Sequence, residues 1–168
     1  MTVNANSSGA RLNRVGLIGA GNWAHHGHLP VLTLLPEYEI VAIQSRHRKV
    51  AETAAMRFNI PHVVETAEAV ASHPDVDLAI VLTTAPQHAD GVRAALAARK
   101  DDYSEWPLST GTALSQELLG LAQNQGKRHV VGLQRRLSAT NRYVWHQIAN
   151  GYIGKLRSVR LHVSMNYF

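Results

Sequence analysis

Cysteine is missing from all 168 residues, which excludes disulfide staples, thiolate catalysis and cysteine-ligated zinc, and accords with a reducing, cytoplasmic setting. No run of about 18 apolar residues occurs either, so no membrane-spanning helix and no membrane partner are expected. The start of the chain lacks the charged-then-apolar order of a secretory leader, and residues 1–13 read as a loose, disordered tail. The formal net charge is +5, but no contiguous basic patch with interleaved aromatics accompanies it. The densest cluster is Arg46-His47-Arg48-Lys49, with pairs at Lys127-Arg128 and Arg135-Arg136. A nucleic-acid surface needs such a patch, so no nucleic-acid partner is expected.

What is present is the composition of a globular chain, 45% hydrophobic and 17% charged. At its head stands the run Val15-Gly16-Leu17-Ile18-Gly19-Ala20-Gly21-Asn22-Trp23-Ala24. Gly19, Gly21 and Ala24 form the Gly-x-Gly-x-x-Ala pattern of a dinucleotide loop between a first strand and a helix. Gly19 permits the tight turn, Gly21 removes a side chain where a pyrophosphate approaches backbone, and Ala24 lets the helix lie close to the sheet. Phosphates would meet the free N–H groups of the helix beginning near Asn22 and Trp23.

Downstream, strands and helices alternate. The spacing predicts a helix from Asn22 toward Leu34, stopped by Pro36, then a strand over Glu39 to Gln44 and a helix over Ser45 to Phe58. A short strand at His62-Val63-Val64 precedes a helix capped by Thr66. The apolar run Asp77 to Leu82 predicts a mid-sheet strand, and a helix follows from Pro86. The next strand, Asp102 to Pro107, opens on Asp101 and Asp102 where a buried strand favours aliphatics, which weakens the expectation. A helix over Thr110 to Gln123 and a sixth strand over Arg128 to Leu133 complete the series. This alternation predicts an α/β fold, a doubly wound parallel sheet of the Rossmann kind, over residues 14–136. Residues 137–168 read as the first helix, Ser138 to Asn150, and first strand, Lys155 to Asn166, of an incomplete α+β domain. A lone apolar strand there predicts a homo-oligomer or a protein partner.

Candidate site residues cluster after the strands. Ser45 stands about 20 residues beyond the glycine loop, where an acidic residue would hold the ribose of NAD. Serine followed by Arg46 removes a charge that repels a 2′-phosphate and adds one that attracts it, which favours NADP over NAD. Thr83, Thr84 and Pro86 follow the fourth strand at the ligand-binding edge, with His88 as a helix cap or a cofactor neighbour. Glu105 is placed to bond a ribose hydroxyl, and Trp106 either packs over a ring or lies in the core. His25, His26 and His28 have no neighbouring carboxylate or cysteine in the sequence, so no metal is expected there.

Trp23 with His28-Leu29-Pro30, Pro86-x-His88, Glu105-Trp106-Pro107, Gly132-Leu133-Gln134-x-Arg136 and Gly151-Tyr152-Ile153-Gly154 occur in order. With them the chain resembles the glucose-fructose oxidoreductase and inositol dehydrogenase (Gfo/Idh/MocA) family over about Arg14 to Phe168. Within it, the pattern is most similar to the branch of the fungal galactose-regulon repressor. The resemblance implies a Rossmann domain with a truncated second domain, a cis bond before Pro107, and Arg136 near the cofactor or tying the domains together. It also implies a lysine where Trp106 stands, and an indole cannot transfer protons as a lysine does. Three readings follow: an NAD(P)-binding domain without turnover on its own, a regulatory NAD(P)-binding protein of the repressor kind, or a dehydrogenase completed by another chain.

Overall fold

Period-two burial builds the sheet from its first strand. In β1 (Asn13–Ile18), Val15 and Leu17 face one layer while Ile18 faces the other, and all three are buried. The other strands are β2 (Tyr38–Gln44), β3 (His62–Val63), β4 (Leu78–Val81), β5 (Asp101–Glu105) and β6 (His129–Gly132), and β4 alternates most plainly, with Ala79 and Val81 facing one layer and Ile80 the other. The computed structural model describes residues 11–162, and the described chain divides into one unit up to Gly132 and another from Leu133.

All strand pairs are parallel, in the order β3-β2-β1-β4-β5-β6. That is the doubly wound Rossmann sheet, with β1 and β4 side by side at its switch point. One layer packs α1 (Leu29–Leu34) and α2 (Arg48–Phe58) on Leu17, Ile43 and Ile80. The opposite layer packs α3 (Ala67–Ser72), α4 (His88–Ala97) and α5 (Thr112–Gln125) on Ile18, Ala79 and Val81. Each fully buried Leu, Ile or Val contributes roughly 1.5–3 kcal/mol, so both layers are needed to hold the sheet. As expected, β4 lies mid-sheet, and Thr66 caps α3 by accepting the Ala69 N–H at 3.1 Å.

Four expectations need correction. The helix after the glycine loop is not α-helical throughout: Ala24–His28 is a π-helical turn running into α1. Pro30 has no N–H for the carbonyl one turn back, so the regular ladder is already broken there, and a widened turn accommodates the break. Asn13, expected in the tail, instead opens β1 by donating to the Glu37 carbonyl at 2.9 Å; residues 1–10 of the expected tail lie outside the described set. Strand β5 forms despite its acidic start, with Asp102 paired to His129 on β6 at 2.6 Å. Finally, no strand forms over the described part of the predicted Lys155 to Asn166 segment, residues 155–162. Alternation alone cannot make a strand, because its backbone groups need a neighbouring strand. Residues 163–166 lie outside the described set.

The second unit holds α6 (Ala139–Ala149), whose N-cap Ser138 accepts the Asn141 N–H at 3.3 Å. Gly151 closes it in the left-handed region at φ 75°.

Candidate functional site

The carboxyl ends of β1 and β4 meet at the glycine loop. Gly19 takes φ 104°, and a Cβ there would lie 2.9 Å from the Leu82 carbonyl carbon and the Thr83 nitrogen. No other residue fits that turn. At Gly21 the opposite holds: a Cβ would meet nothing within 4 Å, leaving open space beside the backbone. Asn22 and Trp23 begin the helix there and are exposed, while Ala24 is fully buried against the sheet.

Two cavities open along this edge and share Thr83. One, of about 230 Å³, is lined by Ile18, Gln44, Arg46, Ala67, Thr83, Gln87, Asp90 and Gly91. The other, of about 350 Å³, is lined by Trp23, Leu82, Thr83, Ala85, His88, Glu105, Trp106 and Pro107. The Thr83 hydroxyl oxygen is buried at this junction without a hydrogen-bond partner. A buried hydroxyl left unpaired is costly, and this one is closed off from both cavities.

At the first cavity, Ser45 follows β2 directly and is half-buried, with exposed Arg46 beside it. Arg46 has no ion-pair partner among the described residues, whereas Arg48 is held by Glu52 at 2.7 Å and by Glu65. The basic cluster is thus divided into one arginine tied down and one available to an anion.

The second cavity has an aromatic rim. Trp106 is 67% exposed and Trp23 50% exposed, which rules out the core reading for Trp106. The Trp106–Pro107 bond is cis, as the family resemblance implies. His88 is not a helix cap. It is 2% exposed, with Nδ1 2.8 Å from the Pro107 carbonyl oxygen and Nε2 2.9 Å from that of Thr83. The ring therefore holds the Thr83 loop against the Pro107 turn. Thr84 donates its hydroxyl to Gln87 Oε1 at 3.2 Å, and Pro86 is exposed in the 3₁₀ turn Ala85–Gln87 that leads into α4.

Sequence reasoning missed one cluster beside this cavity. His28 donates from Nε2 to Glu105 Oε1 at 2.6 Å, and the Tyr103 hydroxyl donates to the same oxygen at 3.1 Å. Trp23 and Tyr103 both meet the His28 ring edge-on, at centroid separations of 6.2 and 5.6 Å. Burial first, then the Glu105 charge and hydrogen bond, push the Tyr103 hydroxyl up to about 12. Tyr103 therefore stays protonated and donating at neutral pH. The one sequence signal was His28 itself, as part of the Trp23 and His28-Leu29-Pro30 pattern. The π turn brings it to Glu105.

Arg136 belongs to the second unit, in the 3₁₀ turn Gln134–Leu137. It lines a cavity of about 480 Å³ with Leu137, Asn141, Arg142, Trp145 and His146.

A family model described as the oxidoreductase family, NAD-binding Rossmann fold (GFO_IDH_MocA), matches residues 13–133. The dehydrogenase aclE of Aspergillus oryzae is 29% identical over 164 residues, covering 92% of this chain and 45% of that protein. An inositol 2-dehydrogenase of Acidothermus cellulolyticus is 32% identical over 142 residues, covering 84% of this chain and 42% of its own. Among solved structures, the 3-ketoreductase KijD10 of Actinomadura kijaniata, in complex with NADP and TDP-benzene, superposes with a TM-score of 0.78 at 30% identity. That match covers 84% of this chain and 43% of KijD10. The chain thus spans less than half the length of the relatives it matches.

Proposed function

This chain belongs to the Gfo/Idh/MocA oxidoreductase family, and from that membership we propose that it binds NADP in preference to NAD without turning over a substrate on its own. The observation that carries the proposal is the pair of cavities joined at Thr83, with the open backbone of Gly21 at the same edge. Gly19, Gly21, Asn22, Trp23 and Ala24 form the phosphate loop, and their N–H groups at the helix start hold the pyrophosphate. Ser45 leaves room for a 2′-phosphate, and Arg46 pairs with it. Thr83 lines both cavities midway, while Thr84 and Pro86 set the turn behind it. His88 acts by fixing that turn. Glu105, held by His28 and Tyr103, faces the second cavity, where Trp23 and Trp106 supply ring faces for a nicotinamide. A nicotinamide carries hydride when bound.

Turnover fails for want of a proton carrier at position 106, where the family resemblance implies lysine and this chain has an indole with nothing to titrate at neutral pH. The 67% exposure of Trp106 favours a second reading, a regulatory protein in which the dinucleotide is sensed rather than consumed. A dehydrogenase completed by another chain is the alternative that requires a proton carrier from outside this sequence.

Calorimetric titration with NADPH and NADH, on the wild type and on Arg46→Ala, tests the proposal. NADPH should bind more tightly than NADH, and Arg46→Ala should weaken NADPH about tenfold, or about 1.4 kcal/mol, while leaving NADH nearly unchanged. Failure of both nucleotides to bind overturns the cofactor reading. Equal affinities that ignore the substitution overturn the NADP preference.

A further inference from the structure

The opposite, amino edge of the sheet carries a group of side chains that the nucleotide reading leaves unused. His62 opens β3, His73 ends α3, and Asp75 lies in the turn before β4. One ligand atom from each lies within 4.8 Å of the others. The two imidazole rings stand face to face with a tilt of 37°, their centroids 4.5 Å apart. Asp75 Oδ2 is 4.0 Å from His73 Nδ1, and Asp75 Oδ1 is held by Arg14 Nη1 at 2.5 Å. The carboxylate is therefore anchored on one oxygen and turned toward the histidines with the other.

We propose that His62, His73 and Asp75 bind a zinc-class divalent ion, with water completing the coordination. Two imidazoles and one carboxylate suit zinc, cobalt or nickel, whereas magnesium and calcium favour all-oxygen shells. Ligand bonds of about 2.0–2.1 Å in a tetrahedron put ligand atoms about 3.3 Å apart, so separations of up to 4.8 Å close by up to about 1.5 Å on binding. His62 supplies that movement, being exposed on an edge strand. His73 ligates through Nδ1, which now accepts the Asp75 N–H at 3.2 Å, a long bond to exchange for a metal bond. Arg14 then plays the outer-shell part, fixing the carboxylate.

The ion's place in the fold makes its role structural. Strand β3 pairs with β2 at His62 beside Ala42 and Val63 beside Ile43, with Val64 donating to the Ile43 carbonyl at 3.0 Å. A metal bridging His62 to the α3–β4 turn clamps that short edge strand across the layer.

The test uses tag-free protein, zinc calorimetry, and the visible absorption of cobalt. Wild type should bind one equivalent and show cobalt bands. His62→Gln and His73→Gln should each weaken binding at least about tenfold and abolish the zinc-induced rise in melting temperature. His47→Gln, at the start of α2 on the other edge, is the control and should match wild type. Absence of zinc binding by the wild type refutes the site. So does undiminished binding by His62→Gln, whose metal-free melting temperature shows whether it is folded. Neither result bears on nucleotide binding at the carboxyl edge, so the two proposals stand or fall separately.

Discussion

Replacing Asp102 by valine should cost far more than replacing it together with His129. Asp102 is fully buried on β5 and pairs through Oδ2 with His129 Nδ1 at 2.6 Å, while Asp102 Oδ1 and His129 Nε2 have no partner. Breaking a buried pair from one side typically costs about 3–5 kcal/mol, because the remaining polar group is stranded in the core. Substituting both members by apolar residues of similar volume is often neutral or stabilising, and here it also removes two unpaired atoms. Taking about 3 kcal/mol for Asp102→Val alone and a urea slope of about 1.5 kcal/mol/M, the midpoint should fall by about 2 M. The Asp102→Val/His129→Leu double variant should return to within about 0.5 M of wild type. Urea unfolding followed by circular dichroism measures all four corners of the cycle.

A pH arm sharpens the same test. Burial, opposed by the His129 hydrogen bond and charge and aided by Asp101, pushes the Asp102 carboxyl up. A raised carboxyl binds protons more tightly in the folded state, so its contribution falls as pH rises from the unfolded value toward the folded one. Wild type should therefore lose stability relative to the double variant over that window and run parallel to it above. The reasoning is refuted if Asp102→Val costs under about 1 kcal/mol, or if the two single costs simply add in the double variant.

Gly19→Ala should destabilise by at least about 1–3 kcal/mol, seen as a lower melting temperature, since φ 104° and the 2.9 Å approach to backbone oppose any Cβ. Trp106→Ala should leave stability within about 0.5 kcal/mol yet weaken NADPH several-fold by calorimetry, as its ring is exposed on the cavity rim. Spectrophotometric titration, with Tyr103→Phe as the difference reference, should place the Tyr103 hydroxyl at about 12 and move it down in Glu105→Gln. Asp77 is held below the usual carboxylate range because the Arg14 hydrogen bonds and charge outweigh its burial. Its stabilisation is present above the unfolded value and lost as pH falls through the folded one, so Asp77→Asn should flatten the acid limb of urea midpoints between those values.

Most of the sheet was legible in the sequence because its signals are local. A buried strand such as β4 announces itself as a continuous apolar run, and the glycine loop by its spacing. The candidate site was legible only where the turn itself needs a particular backbone. Gly19 and Gly21 could be read, but the meeting of His28, Tyr103 and Glu105 could not. His28 and Glu105 are 77 residues apart, and nothing local in either segment encodes the π turn's rotation toward β5. Asp102 misled for the same reason: a carboxylate in a strand looks unfavourable until the register places His129 beside it. The segment from Lys155 misled in reverse, since its alternation described a strand that does not form over residues 155–162.

The chain carries only three tryptophans, and their distribution makes it its own optical instrument. Trp23 and Trp106 border the same cavity, while Trp145 lies on α6 in the second unit. Intrinsic emission therefore comes from three water-exposed indoles, two on the rim of one cavity and one in the second unit, with no tryptophan in the sheet layers to blur them. Replacing Trp145 by phenylalanine yields a protein whose whole indole signal originates at the ligand rim. Keeping Trp145 alone yields one that reports on the second unit, so quenching, energy transfer and anisotropy can each be attributed to a place without attaching a dye.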